Sequence, residues 1–312
     1  MVKVADFLSR EEVQRFTERS DLRAGAIVAW NWALVALIFA VVELWTNPLT
    51  LVLALILLGG RQMGLAVLMH EAGHKTLFRS QRLNVIVGQW FCAYPILSDS
   101  EVYGASHREH HRMAGTRDDP DLPNYQEYPV SRERLGRKLR RDLTGQTGFK
   151  LLLGFISGGG GSIMMRAGEK SPVLQGTVAN LGLFLALTLA GAPELFLLWI
   201  GAYLITYPLI ARIRQIAEHA NVPDLFDVDP RLNTRTTIPR WYERLVFCPN
   251  QVNFHVEHHF LASVPCYHLG ALHRCLRDKG FYRGYEHTIA HGYRDVLKRA
   301  LGAGPAMEAS AG

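Results

Sequence analysis

Two long apolar blocks constrain this chain more than any other feature of its sequence. The first covers residues 26–69 and the second residues 173–210. Each block is about twice the ~20 residues that a helix needs to cross a bilayer, and a turn interrupts each near its middle, at residues 47–48 and 191–193. The pattern predicts an all-α membrane protein with four transmembrane helices arranged as two hairpins.

The distribution of Lys and Arg predicts how these helices are oriented. An even number of spans returns both termini and the middle loop to one side of the membrane. That side has five Lys and Arg in residues 1–24, fifteen in 70–172 and thirteen in 212–312, whereas the two turns have none. By the positive-inside rule, the termini and the loops are predicted to be cytoplasmic. The four cysteines form no CxxC pair, which also favours a reducing compartment.

These boundaries divide one domain, residues 1–312, into six segments. Ser9 and Glu12 have the spacing of a helix capping box, so the polar N-terminus is not expected to be a cleaved signal peptide. The small-residue tail is expected to be disordered. The predicted segments are a cytosolic N-terminal helix (1–24), a first hairpin (25–69), a cytosolic loop (70–172), a second hairpin (173–211), a cytosolic helical cap (212–301) and the tail (302–312).

A few positions do not fit the simple pattern. Arg61 and Gln62 follow Gly59-Gly60 in the second span, where a charge is costly unless it faces the bundle interior or reaches the interface. We expect the membrane part to end near Gly60, and a position near a substrate channel is the alternative. Residues 85–97 and 149–155 are apolar but too short to span, so an interfacial position is expected. The glycine run 158–161 predicts a loop.

Eight of the thirteen histidines lie in three short clusters with helical spacing. Residues three and four apart share one helix face, so each cluster can direct its imidazoles to one point. Eight imidazoles exceed what one octahedral ion accepts, which predicts a site for more than one metal ion. The clusters lie in the predicted cytosolic segments, and their histidines are His70, His74, His107, His110, His111, His255, His258 and His259.

The first cluster also satisfies HExxH, the motif in which two histidines hold zinc and Glu71 is a general base. An intramembrane zinc protease is therefore an alternative. It needs only one further ligand. The six histidines of the other two clusters would then have no role, which argues against this alternative.

The ordered boxes HxxxH, HxxHH and HxxHH resemble those of the membrane fatty acid desaturase family. The resemblance extends from about Arg61 to Leu276. It includes Asp118-Asp119-Pro120-Asp121 after the second box and Asn233-Thr234-Arg235-Thr236 before the third. As a set, the boxes are specific for the superfamily and weak guides to the individual substrate.

The resemblance implies an enzyme with two non-haem iron ions. It would use O₂ and two electrons to remove two hydrogens from a lipid acyl chain. The sequence has no glycine-rich nucleotide fingerprint and no CxxC site, so the electrons are expected from a separate ferredoxin or cytochrome. Nucleic acid is not an expected partner. A hydroxylase or ketolase acting on a lipid or carotenoid is the nearest alternative, and a non-catalytic metal-binding membrane receptor is a remote one.

Several residues near the boxes are candidates for supporting roles. His219 follows the fourth span and, as the resemblance implies, supplies a ninth ligand. Gln215 lies one turn before it on the same face and could hold a metal-bound water. The carboxylates of the boxes and of the following acidic run could orient the histidines by accepting their second ring N–H. These candidates are Glu71, Glu109, Glu257, Asp118, Asp119 and Asp121.

Other residues are candidates because of their position alone. Tyr103, Trp241 and Tyr242 could line the pocket or anchor the chain at the membrane surface. The four remaining histidines are expected on the protein surface: His268, His273, His287 and His291. The basic run from Arg132 to Arg141 could dock an acidic electron carrier or face lipid.

Overall fold

A computed structural model describes residues 2–157 and 170–302 of the chain. The predicted glycine run 158–161 and nearly all of the tail, residues 303–312, lie outside the described residues. Within the described ranges, the α-helices are α1 (Arg10–Thr17), α2 (Asp21–Leu44), α3 (Pro48–Gly73), α4 (Gln81–Val87), α5 (Ser100–Met113), α6 (Arg132–Leu143), α7 (Gln146–Ile156), α8 (Val173–Leu189), α9 (Leu195–His219), α10 (Pro230–Asn233), α11 (Trp241–Val246), α12 (His255–Phe260), α13 (Cys266–Asp278) and α14 (Tyr293–Ala300).

Little of the remaining described chain is regular. A π-helical segment, Gly88–Ala93, continues α4. Two short strands, β1 (Thr236–Thr237) and β2 (Ile289–Ala290), pair in parallel with Thr236 opposite Ile289. The 3₁₀ turns are Val4–Asp6, Tyr94–Ile96, Leu122–Asn124, Pro249–Gln251 and Glu286–Thr288. The predicted all-α class is confirmed.

The two apolar blocks form four helices of unequal length. By length and composition, α2, α3 and α9 could each cross a membrane. Helix α8 is apolar but has only 17 residues, which is about 26 Å of helix and slightly less than the ~30 Å hydrocarbon core. The structure therefore contains three candidate spans among its described residues. A span formed by α8 stays a prediction.

Local sequence explains where these helices begin. The side chain of Asn47 accepts hydrogen bonds from the backbone N–H groups of Leu49 and Thr50, and Pro48 occupies the first turn of α3. Ser20 caps α2 in the same way. Ser9 and Glu12 form the predicted capping box of α1. The N-terminal segment then packs on the α12–α13 region, with Phe16, Phe260 and Phe281 in one apolar cluster.

Helix α3 is the central element of the fold and packs against α2, α5 and α9. All its residues from Leu58 to Gly73 are buried. The sequence predicts that the helix emerges from the membrane after Gly60. Instead, Arg61 is buried inside the helical bundle. Its guanidinium donates to Asn31 Oδ1 of α2 (3.2 Å) and to the backbone carbonyl of Leu245 (2.6 Å). The charge is tolerated because these acceptors replace water in the interior.

The crossing of α3 and α5 depends on two glycines. A Cβ atom at Gly104 would lie 2.7 Å from the Cα of Gly73, and one at Gly73 would lie 2.8 Å from the carbonyl oxygen of Ser100. Both atoms are backbone, so they cannot rotate away. The close approach places the end of α3, with its two histidines, directly beside the histidine face of α5.

We predict that Gly104→Ala destabilises the protein by about 1–3 kcal/mol, the usual cost of overpacking, and also lowers metal content. The matched control is Gly136→Ala on α6, where a Cβ atom meets nothing within 4 Å. That change should stabilise the protein by up to about 1 kcal/mol through helix propensity. Chemical denaturation in detergent measures both. Equal effects of the two changes would contradict the packing argument.

Candidate metal centre

Four helices bring nine histidines together. His70 lies in the last turn of α3 and His74 is its C-terminal cap. His219 is the last residue of α9. Helix α5 carries the second box and α12 the third. The ligand nitrogens of these side chains gather into two adjacent groups.

The first group joins α3, α5 and α12. Its members His70, His74, His107 and His258 have ring nitrogens that all lie within 4.8 Å of one another. His111 completes it, since its Nε2 lies 3.0 Å from Nε2 of both His107 and His258. Nε2 of His258 lies 3.0 Å from Nε2 of His70.

The second group joins α5, α9 and α12. Its members are His110, His219, His255 and His259. Nε2 of His255 lies 2.9 Å from Nε2 of His219 and 3.1 Å from Nε2 of His259. The two groups are neighbours, because the rings of His111 and His259 stack with their centroids 4.2 Å apart.

These spacings fit metal coordination. Two nitrogens bound at about 2.1 Å and at right angles around one ion lie about 3.0 Å apart. Nε2 of His74 is buried and has no hydrogen-bond partner among the described residues, which is costly for a polar atom unless it binds something. The donor set consists of imidazoles, which suit iron, zinc and copper. The residues therefore fit two transition-metal ions.

The protonation state of the histidines also fits metal binding. Burial, reinforced by the neighbouring imidazoles, lowers the pKa of five of these histidines well below the usual value, so they are neutral at pH 7. Only the neutral ring has a lone pair for a metal. The five are His107, His111, His255, His258 and His259.

Hydrogen bonds to Nδ1 orient several of the rings. Nδ1 of His219 donates to the carbonyl oxygen of Asn233 (3.0 Å), and Nδ1 of His110 donates to Asp119 Oδ1 (2.8 Å). Nδ1 of His70 lies 3.0 Å from the Tyr103 hydroxyl. Nε2 of His70 and Nε2 of His219 each face another imidazole nitrogen, at 3.0 and 2.9 Å, as expected for metal ligands with a fixed tautomer.

Within the acidic run, the structure selects Asp119. Burial alone would raise the pKa of its carboxyl, yet the hydrogen bond from His110 lowers it below its usual value, so the group is ionised. Tyr125 also donates to it. Asp121 is half-buried, with a carboxylate oxygen 3.8 Å from His110 Nδ1, whereas Asp118 is exposed. Sequence alone does not distinguish these three neighbours.

The glutamates inside the boxes are predicted to orient the histidine rings, but the hydrogen bonds of their carboxylates are made with other groups. Glu71 accepts hydrogen bonds from the backbone N–H of Cys266 (2.8 Å) and from Thr76 Oγ1 (3.1 Å). Glu109 pairs with Arg112 on the outer face of α5. Each glutamate follows or precedes a histidine by one position, and adjacent residues on a helix point about 100° apart. The carboxylate of Glu71 therefore links the end of α3 to the start of α13, whereas that of Glu109 pairs only within α5.

Glu257 is fully buried and holds the cap together. It accepts hydrogen bonds from His273 Nδ1 (2.5 Å), Thr236 Oγ1 (2.6 Å) and the Tyr282 hydroxyl. The predicted surface position of His273 is therefore wrong. Its polar neighbours in α13 gave no indication of burial, because its partner is 16 residues away in the chain.

The other candidates are placed as follows. Gln215 is half-buried one turn before His219. Trp241 and Tyr242 are exposed, as is His291, while His268 and His287 are half-buried. A pair that sequence reasoning missed lies beside the second group. Arg214 and Glu218 form a buried ion pair (2.9 Å), and Glu218 Oε1 lies 3.5 Å from His255 Nδ1.

We predict that His273→Leu destabilises the protein by about 1–3 kcal/mol, because the buried carboxylate of Glu257 loses a hydrogen-bond donor. The matched control, His291→Leu, changes an exposed side chain and should stay within about 0.5 kcal/mol of the unmodified chain. Chemical denaturation in detergent compares the two. A His273 variant as stable as the control would contradict the bracing role of this network.

Comparison with known proteins agrees with this geometry. A family model described as fatty acid desaturase matches residues 46–292, a range that contains all nine clustered histidines. A relative, the dihydrorhizobitoxine desaturase of Bradyrhizobium elkanii, is 28% identical over 293 residues, which cover 88% of this chain and 81% of the relative. The chain belongs to the fatty acid desaturase family and is a membrane oxidoreductase of the desaturase type.

Proposed function

We propose that this chain is an O₂-dependent desaturase with two iron ions that introduces a double bond into a lipid acyl chain. The observation that carries the proposal is the arrangement of nine imidazoles, six of them buried and three half-buried, in two adjacent groups. Family membership supports the reaction class. Electrons would come from a separate carrier of the ferredoxin or cytochrome type.

Each group would hold one ion. The first ion would take the ring nitrogens of His70, His74, His107, His111 and His258, and the second those of His110, His219, His255 and His259. When bound, the two irons supply the activation of O₂ and the removal of two hydrogens from the acyl chain. Five and four nitrogen donors would leave positions open for O₂ on six-coordinate ions.

The protein residues prepare this site in three ways. Asp119 and the carbonyl of Asn233 fix the rings of His110 and His219, so little reorganisation is needed on metal binding. Burial keeps the imidazoles of His107, His111, His255, His258 and His259 neutral. It also excludes bulk water, which protects a strongly oxidising centre from side reactions.

We also propose the predicted topology. Helix α8, with its exposed leucines at 174, 181, 185 and 189, would be the third of the four predicted spans, and both termini would be cytoplasmic. The centre lies at the ends of α3 and α9, which are candidate spans. A lipid substrate would therefore enter from the bilayer and extend toward the cytosolic cap. The domain boundaries are proposed to be those predicted from the sequence.

We predict about two irons per chain in protein produced with ample iron. His219→Ala should remove one of four ligands of the second ion, lowering bound iron toward one per chain and abolishing turnover. The exposed His291→Ala is the control and should retain both irons. Metal analysis and membrane fractionation test this. One zinc per chain would contradict the proposal and favour the HExxH protease.

Product analysis tests the reaction itself. Expression in a host that lacks the activity, followed by mass spectrometry of the lipids, should show acyl chains that have lost two hydrogens. The His110→Ala variant should give no such product, and turnover in vitro should require an added reduced carrier. Gain of one oxygen would support the hydroxylase alternative. Unchanged lipids with full iron content would indicate a substrate that is not a lipid.

A further inference from the structure

Helix α6 forms a strongly basic surface away from the metal centre. Residues 132–143 contain six Lys and Arg but only two acidic residues. One of the two, Asp142, is fully buried and pairs with Arg212 of α9, so it does not neutralise the exposed surface. The six basic residues are Arg132, Arg134, Arg137, Lys138, Arg140 and Arg141.

The acids nearby satisfy only part of this charge. Arg134 lies 2.5 Å and Lys138 3.9 Å from the same carboxylate oxygen of Glu127, and Arg137 pairs with Glu133. Within residues 2–157 and 170–302, Arg140 and Arg141 have no acidic partner. Five of the six basic side chains, those of residues 134, 137, 138, 140 and 141, line one open cleft of about 360 Å³ together with Gln146.

Helix α7 connects this cleft to a candidate membrane span. A Cβ atom at Gly148 would lie 2.1 Å from the carbonyl oxygen of Leu204, so α7 lies against the backbone of α9. Gln146, which lines the cleft, is the first residue of α7. The cleft therefore lies beside α9, one of the three candidate spans.

The outer face of α6 and α7 beside this contact is apolar. Leu143, Phe149, Leu153 and Ile156 are each more than half exposed, and the last three follow one helix face with spacings of four and three. An exposed apolar face next to transmembrane helices is suited to contact with lipid chains. The basic cleft thus adjoins an exposed apolar face beside a candidate span, which is the arrangement expected of a surface that contacts phospholipid head groups.

We propose that the α6–α7 surface binds the phosphate groups of anionic membrane phospholipids. The apolar face of α7 enters the acyl layer, and the guanidinium groups of Arg137, Arg140 and Arg141 contact the phosphates. Guanidinium forks match phosphate oxygens in geometry as well as charge. The site is separate from the metal centre, since Arg212, which anchors α6, is seven residues or about 10 Å along α9 from His219.

An acidic electron carrier fits this surface less well. Its carboxylates would complement the arginines, but a water-soluble protein would leave the apolar residues of α7 without a matching surface. Anionic phospholipid satisfies both halves of the surface at once. The basic run is therefore assigned to lipid, and the carrier is expected to dock elsewhere.

The test compares two variants that each lose three positive charges. One replaces Arg137, Arg140 and Arg141 by Gln, and the control replaces the exposed residues Arg274, Arg277 and Arg283 by Gln. The full chain in neutral detergent is mixed with equal amounts of phosphatidylglycerol and phosphatidylcholine, and native mass spectrometry measures the retained lipids. We expect at least about tenfold enrichment of phosphatidylglycerol in the unmodified chain and the control, and no enrichment in the α6 variant.

Further comparisons distinguish lipid binding from misfolding, from binding of free phosphate and from electron transfer. An Arg→Lys version of the α6 variant should retain most of the enrichment, which separates loss of charge from misfolding. Equal enrichment in the Gln variant would overturn the proposal, as would competition by inorganic phosphate at the same concentration as the lipid. A Gln variant that retains phosphatidylglycerol but shows a raised KM for an acidic reduced carrier would instead assign the surface to electron transfer.

Discussion

The backbone contact between Gly73 and Gly104 is the constraint on which the rest of the centre depends. Helix α3 supplies one pair of histidines and α5 supplies three, and their imidazoles can share an ion only if the two helix axes lie very close together. Glycine at both positions permits that approach. The third box and His219 reach the same point through their rings, since His258 contacts His70 and His219 contacts His110. The candidate metal centre is therefore a property of four helices that contribute between one and three histidines each.

The sequence predicts the parts of this arrangement that are periodic. Histidines three and four apart identify the helix faces, and two apolar blocks identify the helical core. Because the ligand count follows from this local spacing, the box histidines could be grouped before the fold was known. His219 required more than spacing, since a single histidine after an apolar helix is also compatible with a surface position. Its Nδ1 contact with Asn233, 14 residues further along the chain, supports the proposed ligand role.

The sequence does not predict contacts that depend on tertiary structure. Asp118, Asp119 and Asp121 differ only in the loop geometry that turns one of them toward His110. The box glutamates are adjacent to histidines in sequence, which suggests that they orient the rings. The helix instead directs their carboxylates to other partners, such as the backbone of Cys266 for Glu71 and Arg112 for Glu109. His273 lies in a segment with ordinary polar character, and only the distant Glu257 explains its burial. Each error concerns a polar group whose partner lies far away in sequence or on a different helix face.

The depth of the metal centre also restricts how a lipid could reach it. Gly59 of α3 lies against Thr206 of α9, near the level at which α7 contacts α9. His70 is 11 residues beyond Gly59, or about 16 Å along the helix. On the proposed topology, an acyl chain that enters between α3 and α9 would therefore have to extend about that distance beyond the Gly59 contact to reach the ligands. Apolar surface inside the cap would have to compensate for the lost contact with the bilayer. The buried C-terminal half of α3, which is apolar from Met63 to Met69 apart from Gly64, is the part of the described chain best placed to supply it.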